Sequence, residues 1–184
     1  MRTILFLIVM SYSTYAIAGG YGYGGHNVVD TYDPETGLYI KAITKEKENS
    51  GFLSKGSDWR VDNVAFYNPD TQETWNVFDD GINRHISLVA FEERYKDGLI
   101  KFYGSPSVKN NKSIKRALRD KMLIVEQHDE EEFYTLWISD RRGKGVSVLA
   151  RVAYGDSWHI DMSNAKIRVV STAKGHLNIR NYDW

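Results

Sequence analysis

The sequence predicts an all-β fold of short antiparallel hairpins, and three observations carry that expectation. Beyond residue 28 the apolar residues fall in short or alternating runs, the period of strands rather than of helices. Aromatic residues make up 13% of the chain, with twelve Tyr and five Trp, and such side chains favour the pleated surface of a sheet. The breaks between runs carry turn chemistry, with Pro presetting one corner and Gly accepting the positive φ that closes it.

Residues 1–18 read as an export signal and not as part of the fold. Arg2 supplies a positive start, residues 4–10 (ILFLIVM) an apolar stretch, and Ala16-Ile17-Ala18 the small-x-small pattern cleaved after Ala18. Seven apolar residues fall short of the roughly 20 needed to cross a bilayer, so no retained span is expected. Export with no cysteine in the chain suits a bacterial periplasm or cell surface better than an animal extracellular space, where small modules are stapled by disulfides. Residues 19–27 form a Gly/Tyr-rich leader, GGYGYGG followed by His26 and Asn27, with little side-chain volume to pack. No cysteine follows the cleavage site to carry a lipid anchor. Residues 28–184 have the length of a single domain.

Within that domain, residues 28–32 and 38–44 flank Asp33-Pro34-Glu35-Thr36-Gly37, the first hairpin. The theme returns where residues 64–67 and 74–78 flank Asn68-Pro69-Asp70-Thr71-Gln72. Residues 86–95 and 99–103 flank Lys96-Asp97-Gly98, whose Asp-Gly pair suits a tight turn. The pattern then breaks. Over 113–121 Ser113 can cap a short helix with Ile114, Ala117 and Leu118 on one face and Lys112, Lys115, Arg116 and Arg119 in solvent. Five further strands are expected at 122–125, 133–139, 146–152, 166–172 and 177–182. Roughly eleven strands exceed what one flat sheet holds comfortably, so they must stack, close or radiate.

Over residues 119–184 the pattern resembles the blade repeats of TolB-type β-propellers. Leu136-Trp137-Ile138-Ser139-Asp140, Arg141-Arg142-Gly143-Lys144-Gly145 and residues 146–150 look like the middle of one unit, and Asp156-Ser157-Trp158-His159-Ile160-Asp161 looks like its Ser-Trp loop. Residues 166–171 and 177–183 are similar to the next two strands, and Asp58-Trp59-Arg60-Val61-Asp62-Asn63 to an earlier copy. The resemblance implies propeller-like blades. A closed ring needs about four or more blades of some 40 residues, so fewer blades leave edges that are open, covered, or paired with another subunit. A β-sandwich or a small closed barrel stays open as an alternative.

Charge and motif content exclude more than they nominate. Lys plus Arg and Asp plus Glu stand at 24 each, which offers no bulk attraction to nucleic acid or to anionic lipid. Gly155-Asp156-Ser157 is similar to the nucleophile block of one esterase family, and Ser157, His159 and Asp161 alternate onto one strand face. Positions two apart nevertheless sit roughly 6.5 to 7 Å apart along a strand, beyond relay contact. His26, His85, His128, His159 and His176 contain no pair at zinc-site spacing. His128 beside Asp129-Glu130-Glu131-Glu132 reads as an acidic hairpin tip rather than a calcium loop. Of Trp59, Trp75, Trp137, Trp158 and Trp184, which together could stack a sugar or peptide, Trp137 and Trp158 are expected in the core. No catalytic, cofactor-binding or metal residue is nominated, and no cofactor is called for. The expected function is that of an exported, soluble binding or assembly module of the cell envelope, partnered by an envelope protein or by itself. The alternatives are a hydrolase of an envelope polymer, using carboxylates or Ser157 and His159, and a small outer-membrane β-barrel, whose alternation counted back from Trp184 breaks after Tyr182.

Overall fold

A computed structural model describes residues 29–46, 59–80, 84–110 and 114–184. The expected signal, the leader and the Ser113 cap lie outside these residues. The described chain is all-β, and its thirteen strands form three open sheets, none closed into a barrel. The first sheet is a meander of β1 (Asp30–Asp33), β2 (Leu38–Glu46), β3 (Trp59–Tyr67) and β4 (Thr74–Asn76). The second joins β5 (Ile86–Arg94), β6 (Ile100–Tyr103), β8 (Met122–His128), β9 (Phe133–Ser139) and β10 (Ser147–Ala153) in the order β10-β9-β8-β5-β6. The third runs β13 (His176–Asp183), β12 (Lys166–Ala173), β11 (Ser157–Asp161) and β7 (Val108–Lys109), with β7 parallel to β11 and every other pairing antiparallel. Among the described residues no helix is long and apolar enough to cross a membrane.

Strand periodicity explains how the sheets stack. On β8, Met122 and Ile124 join one core with Leu38, Ile40, Val64 and Phe66 of the first sheet, while Leu123 and Val125 join a second core with Trp158, Ile160, Ile167 and Val169 of the third. Successive side chains point to opposite faces, so the second sheet is the middle layer, covered on both sides. That is why β5 and β8 are continuous apolar runs and not alternating ones. On β5 a register shift between Ile86 and Leu88 sends these two, although two apart, into opposite cores. Ser87, between them, donates its hydroxyl to the Val125 carbonyl at 3.2 Å.

Buried ion pairs tie the layers together. Arg141, in the β9–β10 turn, grips Asp33 at the end of β1 through Nε (3.1 Å) and Nη2 (2.6 Å), with both residues 3% exposed or less. Its Nη1 donates to the Glu92 carbonyl. In the same turn the Arg142 carbonyl accepts from Trp75 Nε1 at 2.8 Å, and Gly143, at φ +70°, lies so close to the first sheet that a Cβ would sit 2.4 Å from the Phe66 ring. Glu126 of β8 accepts both Arg84 Nη1 contacts (3.0 and 2.9 Å) and Trp137 Nε1 (2.8 Å).

The short helix expected at 113–121 does not form over the described part of that segment. Ile114 and Leu118 pack against the second core, but Ala117 is exposed, and the backbone is irregular. The cause is Glu92, 0% exposed on β5. Its carboxylate takes Arg116 in a fork (2.7 and 2.6 Å), the Arg119 backbone N–H (2.9 Å) and Trp184 Nε1 (2.7 Å), so the segment's polar groups turn to a buried charge instead of to one another. Arg116, expected in solvent, is the principal counter-ion.

Two strands, β7 and β11, were not among the expected eleven. The Ser-Trp segment, a loop by the propeller resemblance and a strand face by its own alternation, is β11, with Trp158 and Ile160 turned to the core.

Candidate functional site

The third sheet meets the second along a cleft of about 280 Å³ lined by Ser107, Lys109, Tyr134, Tyr154, Asp156, Ser157, Trp158 and His159. Three pairings place these groups. Parallel pairing of β7 with β11 brings Ser107 and Lys109 beside the β11 strand, with Ile160 N–H donating to the Ser107 carbonyl at 2.8 Å. The β9–β10 hairpin brings Tyr134 and Tyr154 together, ring centroids 4.6 Å apart. The alternation of β11 turns Trp158 into the second core, leaving Ser157 and His159 on the other face.

Hydrogen bonding divides the lining into committed and available groups. Tyr154 donates its hydroxyl to Asp129 Oδ1 at 3.0 Å; burial and that neighbouring carboxylate push its phenol up to about 12, so it stays neutral. Asp129 also accepts from Gln127 Nε2 (2.5 Å) and lies 3.1 Å from His85 Nδ1, contacts that outweigh burial and hold its carboxyl below the usual range. By contrast, among the described residues the side chains of Ser107, Lys109, Asp156, Ser157 and His159 make no hydrogen bond or ion pair with one another or with the rest of the protein. Burial lowers the His159 imidazole from its ordinary value, Arg168 and Lys109 lower it further, and Asp161 opposes them. The ring is therefore neutral at neutral pH.

Ser157, His159 and Asp161 do share a strand face, but they do not form a relay. Asp161 is buried and consumed elsewhere: it accepts Asn110 Nδ2 (2.9 Å), Asn164 N–H (3.2 Å), Asn164 Nδ2 (2.8 Å) and Arg168 through Nε (3.0 Å) and Nη2 (2.9 Å). Burial works to raise its carboxyl, and these hydrogen bonds overcome burial and hold it well below the usual carboxylate range. Among the described residues no hydrogen bond joins His159 to Ser157 or to Asp161. The arrangement can hold a ligand; it has no base poised on a nucleophile.

No family model, curated protein or solved structure matches the chain.

The other residues weighed from the sequence disperse. Trp158 and Trp184 are buried, Trp137 packs against the first core, and Trp75 stacks on Phe66 at 5.6 Å, so these four build no common platform. The Trp59 side chain and His26 lie outside the described residues. His128 stacks on Phe133 at 4.3 Å and lies 3.0 Å from the Thr135 hydroxyl, while His176 is exposed on β13. Among the described residues no group of three or more His, Asp or Glu gathers as a metal-holding cluster. Sequence reasoning missed Ser107, Lys109, Tyr134 and Tyr154. The signal available for the tyrosines was the β9–β10 hairpin, which places its two strand ends side by side; the β7 contribution rests on a two-residue strand with no sequence signature.

Proposed function

We propose that the protein is an exported module of a bacterial cell envelope that works by binding and assembly and not by turnover. The observation that carries this reading is β13. It is the last strand of its sheet, eight residues long, paired on one side only and exposed along His176–Asn181 on both faces. Leu177 and Ile179, 66% and 46% exposed, stand on it in alternation. Proteins usually blunt such an edge with proline, charged side chains or a bulge; β13 has no proline and no bulge, and its two charged residues are turned elsewhere, Arg180 to the Arg151 carbonyl (3.1 Å) and Asp183 to Lys166, so a strand from a partner satisfies its open backbone groups. The three stacked sheets are read, with the resemblance over 119–184, as propeller-like blades left open at both ends. The partner is a second copy of the chain or another envelope protein presenting a strand.

Crosslinking of the tagged mature protein in its compartment tests the reading. Specific adducts are expected, and the double variant L177K/I179K, which leaves the β12 pairing and the core untouched, is expected to abolish them. Adducts unchanged by that variant would remove β13 from the argument. A rival reading, hydrolysis of an envelope polymer, draws on Ser157 and His159 lining one cleft. Release of cell-wall or polysaccharide fragments, lost in S157A, would establish it in place of the proposal.

A further inference from the structure

We infer that the cleft between the second and third sheets is a binding site for a single sugar ring. The inference rests on the binding reading above and names what this second, independent surface takes. Three features converge. First, Ser107, Lys109, Asp156, Ser157 and His159 line one space, Lys109 and Ser157 exposed and the other three half-buried, and their side chains are not committed to a protein partner among the described residues, whereas the nearby charges of Asp129, Asp161 and Arg168 are. Polar groups that line a cleft and are not tied to the protein are free to exchange water for a ligand that enters it. Second, the groups are mixed in character. Lys109 donates, Asp156 accepts, and two hydroxyls and a neutral imidazole can do either. An anion would face one cation and one carboxylate, with no clamp of positive charge. A polyhydroxylated ring presents donors and acceptors together, which is the set these five side chains require. Third, Tyr134 and Tyr154 give the cleft aromatic surface, against which the C–H face of a sugar packs. Tyr154 is held in place by its bond to Asp129 and brings a pre-positioned wall rather than a mobile one.

The size agrees. At about 280 Å³ the cleft falls just below the range of about 300–1,000 Å³ typical of drug-sized ligands, so it admits one ring and not an oligomer end to end. A polymer would be held by one unit at a time, through a terminal or protruding ring.

The test is titration of glucose, galactose and N-acetylglucosamine, and of the disaccharides cellobiose and chitobiose, into the mature full-length chain. The readouts are backbone NMR shifts and release of reducing ends. Saturable shifts confined to residues near 107–109, 134 and 154–159 are expected with at least one sugar, together with a weakening of about tenfold in each of D156N and S157A, equal to loss of one hydrogen bond to the sugar. T172A, outside the cleft, is expected to bind as the parent does. Failure of all five sugars to produce saturable shifts, or binding indifferent to both cleft variants, overturns the sugar site and leaves the β13 reading standing. Saturable shifts at the cleft with free glycine or alanine and none with sugars would reassign the site to a zwitterion and equally overturn it. Saturable binding accompanied by release of reducing ends would keep the sugar and overturn the non-catalytic reading instead.

Discussion

Arg141 shows how much of this molecule depends on single charged side chains buried between its layers. Its guanidinium is buried between β1 and β5, forked onto Asp33 and donating to the Glu92 carbonyl, with the Phe91 ring 5.0 Å from its centre. Removing one partner of such a pair strands the other in a low-dielectric site, so D33N or R141M is expected to cost about 3–5 kcal/mol of stability in denaturant unfolding. The double variant D33N/R141M should recover part of that loss, because the uncompensated charge is then gone. A second prediction concerns protons. Glu92 and Asp161 both have carboxyls lowered in the folded protein, because hydrogen bonds from Arg116, the Arg119 N–H and Trp184, and from Asn110, Asn164 and Arg168, outweigh burial. Their contribution is present above the unfolded carboxylate range, about 4, and is lost as pH falls through the lower folded values. His159 has the opposite chemistry and the same direction of loss. Its folded value is depressed, so the unfolded chain binds the proton more readily and stability declines as pH falls below about 6.5. NMR titration of the imidazole should find its midpoint below the ordinary histidine value of about 6.5, and R168Q, which removes a repelling charge, should raise it.

At the scale of elements, turns and loops hold the layers as firmly as the strands do. The β9–β10 turn meets the first sheet through Arg141, the Arg142 carbonyl and Gly143, and Lys144 Nζ lies 4.5 Å from the centre of the Trp75 ring. Gly143 has two reasons to be glycine: its φ of +70° and the absence of room for a Cβ against Phe66. G143A should therefore destabilise by about 1–3 kcal/mol, strain and overpacking combined, while G145A, at φ +63° with open space around it, should cost only the backbone part, about 1 kcal/mol. Comparison of the two midpoints in urea separates the contributions. Legibility follows the same division between local and distant causes. The hairpins around Pro34, Pro69 and Gly98 were readable because a turn's chemistry lies within five residues of itself. Ile114, Ala117 and Leu118 have helical spacing, yet the deciding partner, Glu92, sits on a strand more than twenty residues earlier, and a tertiary contact overrode local preference. For the same reason the alternation of Ser157 to Asp161 was readable, while the capture of Asp161 by Asn110 was not.

The whole molecule is a stack in which the middle sheet belongs to two cores at once. Met122 and Ile124 enter the first core from the same strand whose Leu123 and Val125 enter the second, so neither core can empty without disturbing the strand that serves the other. The sequence announced this only indirectly, through the unbroken apolar runs of β5 and β8; which layers would cover the two faces depends on pairings far apart in the chain. Two tryptophans report on the two cores separately. Trp137 packs against the first, edge-on to Phe78 at 5.2 Å, and Trp158 is buried in the second. In each variant keeping only one of these indoles, with the other tryptophans replaced by phenylalanine, the tryptophan fluorescence and the far-UV circular dichroism should lose their folded signals in urea at the same midpoint and slope, as the shared middle strands require. L123A, which opens a cavity on the second face alone and is expected to cost about 2–5 kcal/mol, should lower the midpoint seen by Trp137 as much as that seen by Trp158. If the Trp137 transition stayed in place while the Trp158 transition moved, the first and second sheets would form a unit able to stand without the third, and the two cores would be energetically separate.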